Sequence, residues 1–164
     1  DFRMLSSTKT RLFLAAAAAL VAAPAAADTD TDILTVRVTV QEACTIAGGT
    51  LDFGTYNSGQ QAEASAEGSI SYNNCAAGTL DIALDGGTAG EVQNRQMANG
   101  DSTLGYQLFK NSAASQVWGT GDDALQQQLL VPGSGDISVY GRIPGGQNVP
   151  AGTYTDTVNV TLTF

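Results

Sequence analysis

The sequence has no histidine, two cysteines, one tryptophan, and seven lysines and arginines against sixteen aspartates and glutamates. Without an imidazole it lacks the side chain that titrates unperturbed near neutrality, so the commonest general base and the commonest transition-metal ligand are both missing. The cysteines, Cys44 and Cys75, are not spaced as a C-x-x-C pair, and no histidine could complete a zinc set. No metal and no cofactor are expected. The few cations form no basic patch able to neutralise phosphates, which argues against nucleic acid as a partner. Asp122-Asp123, flanked by Gly121, reads as a solvated loop rather than an acid/base pair, and Asp81 and Asp85 with Gly86-Gly87 do not match the spacing of a calcium loop. These absences together argue against an enzyme.

Lys9 and Arg11 precede the apolar run Leu12 to Ala23, and Ala25-Ala26-Ala27 is a small-residue trio that suits signal peptidase. Residues 1–27 are therefore predicted to be a signal peptide, cleaved before Asp28. The run is short for a membrane span, and Pro24 ends it where a spanning helix would continue. Removing it leaves residues 28–164 two charges more acidic than the −9 of the whole sequence, a length that suits one domain with its own core. Export places Cys44 and Cys75 where disulfides persist, and they are read as one bridge. Closing a loop of that size stabilises a fold by about 3–4 kcal/mol on loop-closure entropy.

A polar leader, Asp28 to Asp32, runs into Leu34, Val36, Val38 and Val40, which alternate with Thr35, Arg37, Thr39 and Gln41. This is the pattern of a strand with one apolar face. Such a strand can pair within its own domain or with the sheet edge of another chain, and the periodicity serves both. Short apolar or alternating runs follow at Ile70-Tyr72, Leu80-Ile82-Leu84, Tyr106-Leu108, Leu129-Leu130-Val131, Ile137-Val139 and Val158 to Phe164. Gln126-Gln127-Gln128 offers at most one helical turn. Asp85-Gly86-Gly87 and Asn99-Gly100 are predicted to make tight hairpin turns, and Pro132-Gly133, Pro144-Gly145-Gly146 and Pro150-Ala151-Gly152 punctuate the last third. Many short strands separated by such turns predict an all-β antiparallel sandwich. In the last strand Tyr154, Val158, Val160, Leu162 and Phe164 share one face, interrupted by Asp156, while Thr157, Asn159, Thr161 and Thr163 share the other. Trp118 is read as core or groove lining, with a sugar-stacking face as the second reading.

Gly49-Thr50-Leu51-Asp52-Phe53-Gly54, the second cysteine in Ile70-Ser71-Tyr72-Asn73-Asn74-Cys75, Leu104-Gly105-Tyr106-Gln107-Leu108-Phe109, and the ending from Pro150 to Phe164 together resemble the spore coat protein U domain family. That family includes the shaft pilins of archaic chaperone-usher pili. The resemblance implies an immunoglobulin-like sandwich lacking its final strand, completed by donor-strand complementation. It implies three classes of partner: a periplasmic chaperone that fills the open groove first, an outer-membrane usher, and identical subunits joined head to tail. Carried onto this sequence, residues 28–41 hold the leader and donor strand, with Leu34, Val36, Val38 and Val40 entering the neighbour's groove. Residues 42–164 form the body, whose last strand, bearing Tyr154, Val158, Val160, Leu162 and Phe164, borders the groove and pairs with the chaperone.

The expected function is a structural shaft subunit of a surface pilus, exported through the periplasm and supporting adhesion and biofilm formation. A tip adhesin would carry a further receptor-binding domain, for which residues 28–164 leave no room. Two alternatives stand beside it: a secreted glycan-binding module using Trp118, and a spore or cyst coat protein.

Overall fold

A computed structural model describes residues 28–40 and 44–164. The predicted signal peptide and the predicted boundary between Gln41 and Glu42 lie outside the described residues. Taken by itself, the leading segment from Asp28 forms neither helix nor strand, and Ile33, Leu34, Val36, Val38 and Val40 are each between 83% and 87% exposed.

The body is built from eight strands: β1 (Thr45–Gly48), β2 (Ala64–Cys75), β3 (Gly78–Leu84), β4 (Arg95–Asn99), β5 (Ser102–Phe109), β6 (Leu125–Leu129), β7 (Gly133–Ile143) and β8 (Val160–Thr163). They form two antiparallel sheets, in the orders β1-β2-β7-β5-β4 and β6-β3-β8. Period-two alternation gives each sheet one apolar face. Ile70, Leu104, Leu108, Val139 and Ile143 come from the first sheet and Leu80, Ile82, Leu84 and Leu129 from the second, and they close a single core. Among the described residues the only helices are single 3-10 turns, and none is long and apolar enough to cross a membrane.

The predicted disulfide joins Cys44, just before β1, to Cys75 at the end of β2. The register of β2 against β7 shifts between Tyr72 and Cys75, and Asn74 takes φ 54° there, a conformation that asparagine tolerates better than most residues. The Asn99-Gly100 turn links β4 to β5 as expected, with Gly100 at φ 58°.

Three local expectations are corrected. Gln126-Gln127-Gln128 is not a helical turn but the middle of β6, paired with β3 from Gly78↔Leu129 to Ile82↔Leu125. Leu125, Gln127 and Leu129 turn inward while Gln126 and Gln128 are exposed, and the Thr79 hydroxyl donates to Gln128 Oε1 at 2.8 Å. Glutamine has no strong preference of its own here, so the neighbouring strand decides. Leu130 and Val131, predicted to continue an apolar strand, lie past its end and are 88% and 70% exposed. Asp85-Gly86-Gly87 is not a hairpin: the chain leaves β3 for the other sheet through a 3-10 turn at Gly87–Ala89, with Gly87 at φ 64° and its N–H donating to Asp85 Oδ1 at 2.9 Å.

Candidate functional site: a groove between two unpaired edges

One wall of the groove begins where β1 ends. The segment Gly49 to Phe53 crosses the inner face of the larger sheet, and small residues in the strands beneath make room for it. A Cβ on Gly141 of β7 would sit 2.6 Å from the Phe53 ring and 2.8 Å from Leu51, and one on Gly68 of β2 would sit 3.2 Å from Leu51 Cβ. Leu51 and Phe53 therefore turn inward, Phe53 meeting Tyr106 edge-on at 6.3 Å between centroids, while Asp52 stays exposed. The G-T-L-D-F-G motif thus has a packing reason.

The other wall is the C-terminal segment, which changes sheets along its length. Thr155 exchanges both backbone hydrogen bonds with Ala98 of β4, at 2.9 and 3.1 Å. Further on, Asp85 N–H donates to the Asn159 carbonyl, and β8 continues in the same register, Ala83↔Thr161 and Asp81↔Thr163. Antiparallel ladders alternate, so Asn159, Thr161 and Thr163 direct their peptide groups to β3 while Val160 and Leu162 direct theirs to the open edge. Side chains alternate too: Tyr154, Asp156, Val158, Val160 and Leu162 are half-buried, and the residues between them are exposed.

β1 pairs only with β2 and β8 only with β3, so two strand edges without partners border one opening. Between the walls is a cavity of about 420 Å³ whose lining includes the core residues Ile70, Leu84, Leu108 and Val139 together with Met97, Val158 and Val160. A second hollow of about 470 Å³ shares Leu51, Phe53, Met97 and Tyr154 with the first and extends past Leu104 and Ile143 to Val149 and Tyr56. At the other end the walls approach each other, a Cβ on Gly48 falling 3.6 Å from Val160. Apolar core therefore opens to the outside between the two walls, which close on each other toward Gly48 and Val160.

Polar side chains hold the C-terminal wall in place. Asp156 accepts from the Tyr106 hydroxyl at 2.6 Å and from the N–H groups of Thr88 and Thr157 at 2.8 Å. Burial alone would raise its pKa, but these hydrogen bonds, that of Tyr106 foremost, outweigh it and keep the carboxyl below its ordinary value. Burial, reinforced by Asp156, pushes the Tyr106 phenol far above its own. Asp85 accepts from the backbone and side-chain nitrogens of Asn159 at 2.9 and 2.6 Å; burial opposes its ionisation, but the Asn159 amide and the N–H groups of Gly87 and Asn159 lower its pKa on balance. Beneath them Arg95 is fully buried and donates to the carbonyls of Leu84, Asp85 and Trp118 and to Gln107.

Of the residues singled out from sequence, Val158, Val160 and Tyr154 line the groove, Leu162 faces the same side in β8, and Phe164 is 55% exposed beyond it. Trp118 corrects the sugar-stacking reading: it is fully buried, its Nε1–H donating to the Ile82 carbonyl at 2.7 Å, and has no face to offer a glycan. Sequence reasoning missed the roles of Arg95 and Asp156. The one signal was an aspartate on the inward parity of the last strand; Arg95 opens a strand that also carries Gln96 and Asn99 and does not stand out there.

Residues 30–161 match the family description Spore Coat Protein U domain. Protein U of Myxococcus xanthus is 40% identical over 152 residues, covering 80% of this chain and 83% of that protein. Among solved structures, the chain resembles one in the complex of the CsuC chaperone with the CsuE tip subunit from archaic chaperone-usher Csu pili of Acinetobacter baumannii, at a TM-score of 0.56 and 23% identity over 74% of this chain. It spans 39% of that chain. It also resembles the P pilus rod subunit PapA, at a TM-score of 0.53 and 19% identity, covering 73% of this chain and 97% of that one. A chaperone-usher pilus subunit matches at 0.51 and 17%, with coverages of 87% and 99%. These likenesses give the immunoglobulin-like pilin fold.

Proposed function

The chain belongs to the spore coat protein U domain family, whose members are structural and non-enzymatic, and from this premise we propose that it is a polymerising subunit of an archaic chaperone-usher surface pilus. Residues 42–164 are the acceptor body and residues 28–41 the donor segment, following a signal peptide at 1–27 that sends the chain through the periplasm to the cell surface. The observation that carries this reading is the pairing of an open apolar groove with a segment of alternating exposed valines in the same polypeptide.

Leu34, Val36, Val38 and Val40 of one subunit fill the groove of the next, and the peptide groups of Val160 and Leu162 join the inserted strand. This is β-strand addition, of which chaperone–pilin complementation is a known instance. Burying four such side chains contributes roughly 6–12 kcal/mol gross, before ordering costs. Until a neighbour arrives, a periplasmic chaperone covers the same slot, pairing with the strand that carries Tyr154, Val158, Val160, Leu162 and Phe164; an outer-membrane usher then exchanges the two. Adhesion and biofilm formation follow from a fibre at the surface.

The test is to express the chain with its chaperone, remove the chaperone, and run the product unheated in SDS. A ladder of resistant polymers is expected. A soluble monomer whose groove is closed by its own leading segment would refute the reading. The family's description, Spore Coat Protein U domain, favours a second reading, a coat protein of a spore or cyst. Immunogold labelling separates the two: filaments projecting from vegetative cells support the pilus, and label confined to a coat supports the second.

A further inference from the structure

The apolar fill alone does not fix where the donor strand stops. Val36, Val38 and Val40 are identical side chains at a spacing of two, so sliding the strand by two residues keeps an apolar side chain in nearly every position. A polar contact at the rim has to choose.

Charge on the two rims is sparse. From Thr45 to Gly54 the single charged residue is Asp52, exposed and flanking both hollows of the groove. From Thr153 to Thr163 the single one is Asp156, which turns inward to Tyr106, so every outward residue on that wall is threonine or asparagine. In the donor stretch Ile33 to Val40 the residues that alternate with the groove-filling set are Ile33, Thr35, Arg37 and Thr39, again with one charge. The other described cations are committed: Arg95 is buried, Lys110 donates to the Ala124 carbonyl, and Arg142 pairs with Glu63 at 3.1 Å. Arg37 is exposed and has no partner among the described residues.

Resting on the donor-strand reading above, we propose that Arg37 of one subunit pairs with Asp52 on the groove rim of the next, and that this ion pair sets the register of the inserted strand. Outward side chains on adjacent strands lie within reach of each other, so a strand inserted beside the Gly49 to Phe53 wall brings an outward arginine alongside Asp52 in one register and a threonine alongside it in the slipped one. Asp52 is already oriented, its Oδ1 accepting the Gly54 N–H at 2.8 Å, which leaves the second oxygen for the guanidinium. A rim charge acts chiefly on association and its salt dependence.

The experiment follows polymer growth of the mature chain after chaperone removal, at low and high salt. Arg37→Glu should slow growth about 3- to 10-fold at low ionic strength and converge on the wild type near ~1 M salt, where the screening length falls to about 3 Å. Asp52→Asn, which keeps the acceptor for Gly54, should slow it as Arg37→Gln does, and Asp52→Arg should restore growth of Arg37→Glu. In polymers of the Arg37→Lys variant, a zero-length carbodiimide should join the introduced amine to Asp52 of the adjoining subunit, read by peptide mass spectrometry. Unchanged growth of Arg37→Glu at low salt, or cross-linking to a different carboxylate, overturns the pairing while leaving donor-strand exchange intact. A wild type that never polymerises removes both.

Discussion

Arg95 carries the largest single burden. It enters the core fully buried and satisfies three carbonyls where β3, the C-terminal wall and the Trp118 segment converge. Arg95→Met keeps much of the volume but orphans those acceptors, so denaturant unfolding of the chaperone-free body should show a loss of about 3–5 kcal/mol. The wall's aspartates predict a pH dependence. Asp85 and Asp156 both lie below the ordinary value of 3.8 when folded, so on acidification the unfolded chain takes up protons first. Their stabilisation is complete above about pH 4–5 and is lost as pH falls through the lowered folded values. Equilibrium unfolding at pH 7 and pH 3 should show that loss, and Asp156→Asn should flatten it. The partners of Arg95 and Asp156 could not be assigned from sequence, because the fold brings them from far away: Arg95 meets Trp118, and Asp156 meets Tyr106 and Thr88.

At the scale of the strand, alternation was legible where large apolar side chains mark the buried face, as in β3, where Leu80, Ile82 and Leu84 are core, and was not read in β1 or β4, which lack such a series. It misled where propensity was neutral, in the glutamine run of β6, and where apolar residues continued past a strand end, at Leu130 and Val131. The last strand read correctly for parity but not for its change of sheet, which depends on where Ala98 and β3 lie. The leading segment is the element on which polymerisation is expected to turn. Val36→Asp or Val38→Asp would bury an unpaired carboxylate only in the donor role, at a cost of several kcal/mol. SDS-resistant ladders should disappear while the chaperone still captures the subunit on co-purification. Failure to fold in the chaperone's presence would place these valines in the chain's own core instead.

For the whole molecule, a core left open along one side must draw stability from elsewhere, and the disulfide is the covalent contribution. Cys44 and Cys75 lie 31 residues apart, so replacing both by serine should lower stability by about 3–4 kcal/mol. Thermal unfolding of chaperone-free material with and without reductant would measure it. The bridge also dictates how the body bears load. Tension drawn through the N-terminal segment reaches the body at Cys44 and crosses the bond to Cys75, at the end of β2, a strand held by β1 on one flank and β7 on the other. The edge strand β1 is thus spared from being peeled away one bond at a time, and in single-molecule pulling, reduction should convert one high-force rupture into an earlier, gentler unravelling from the N-terminal end.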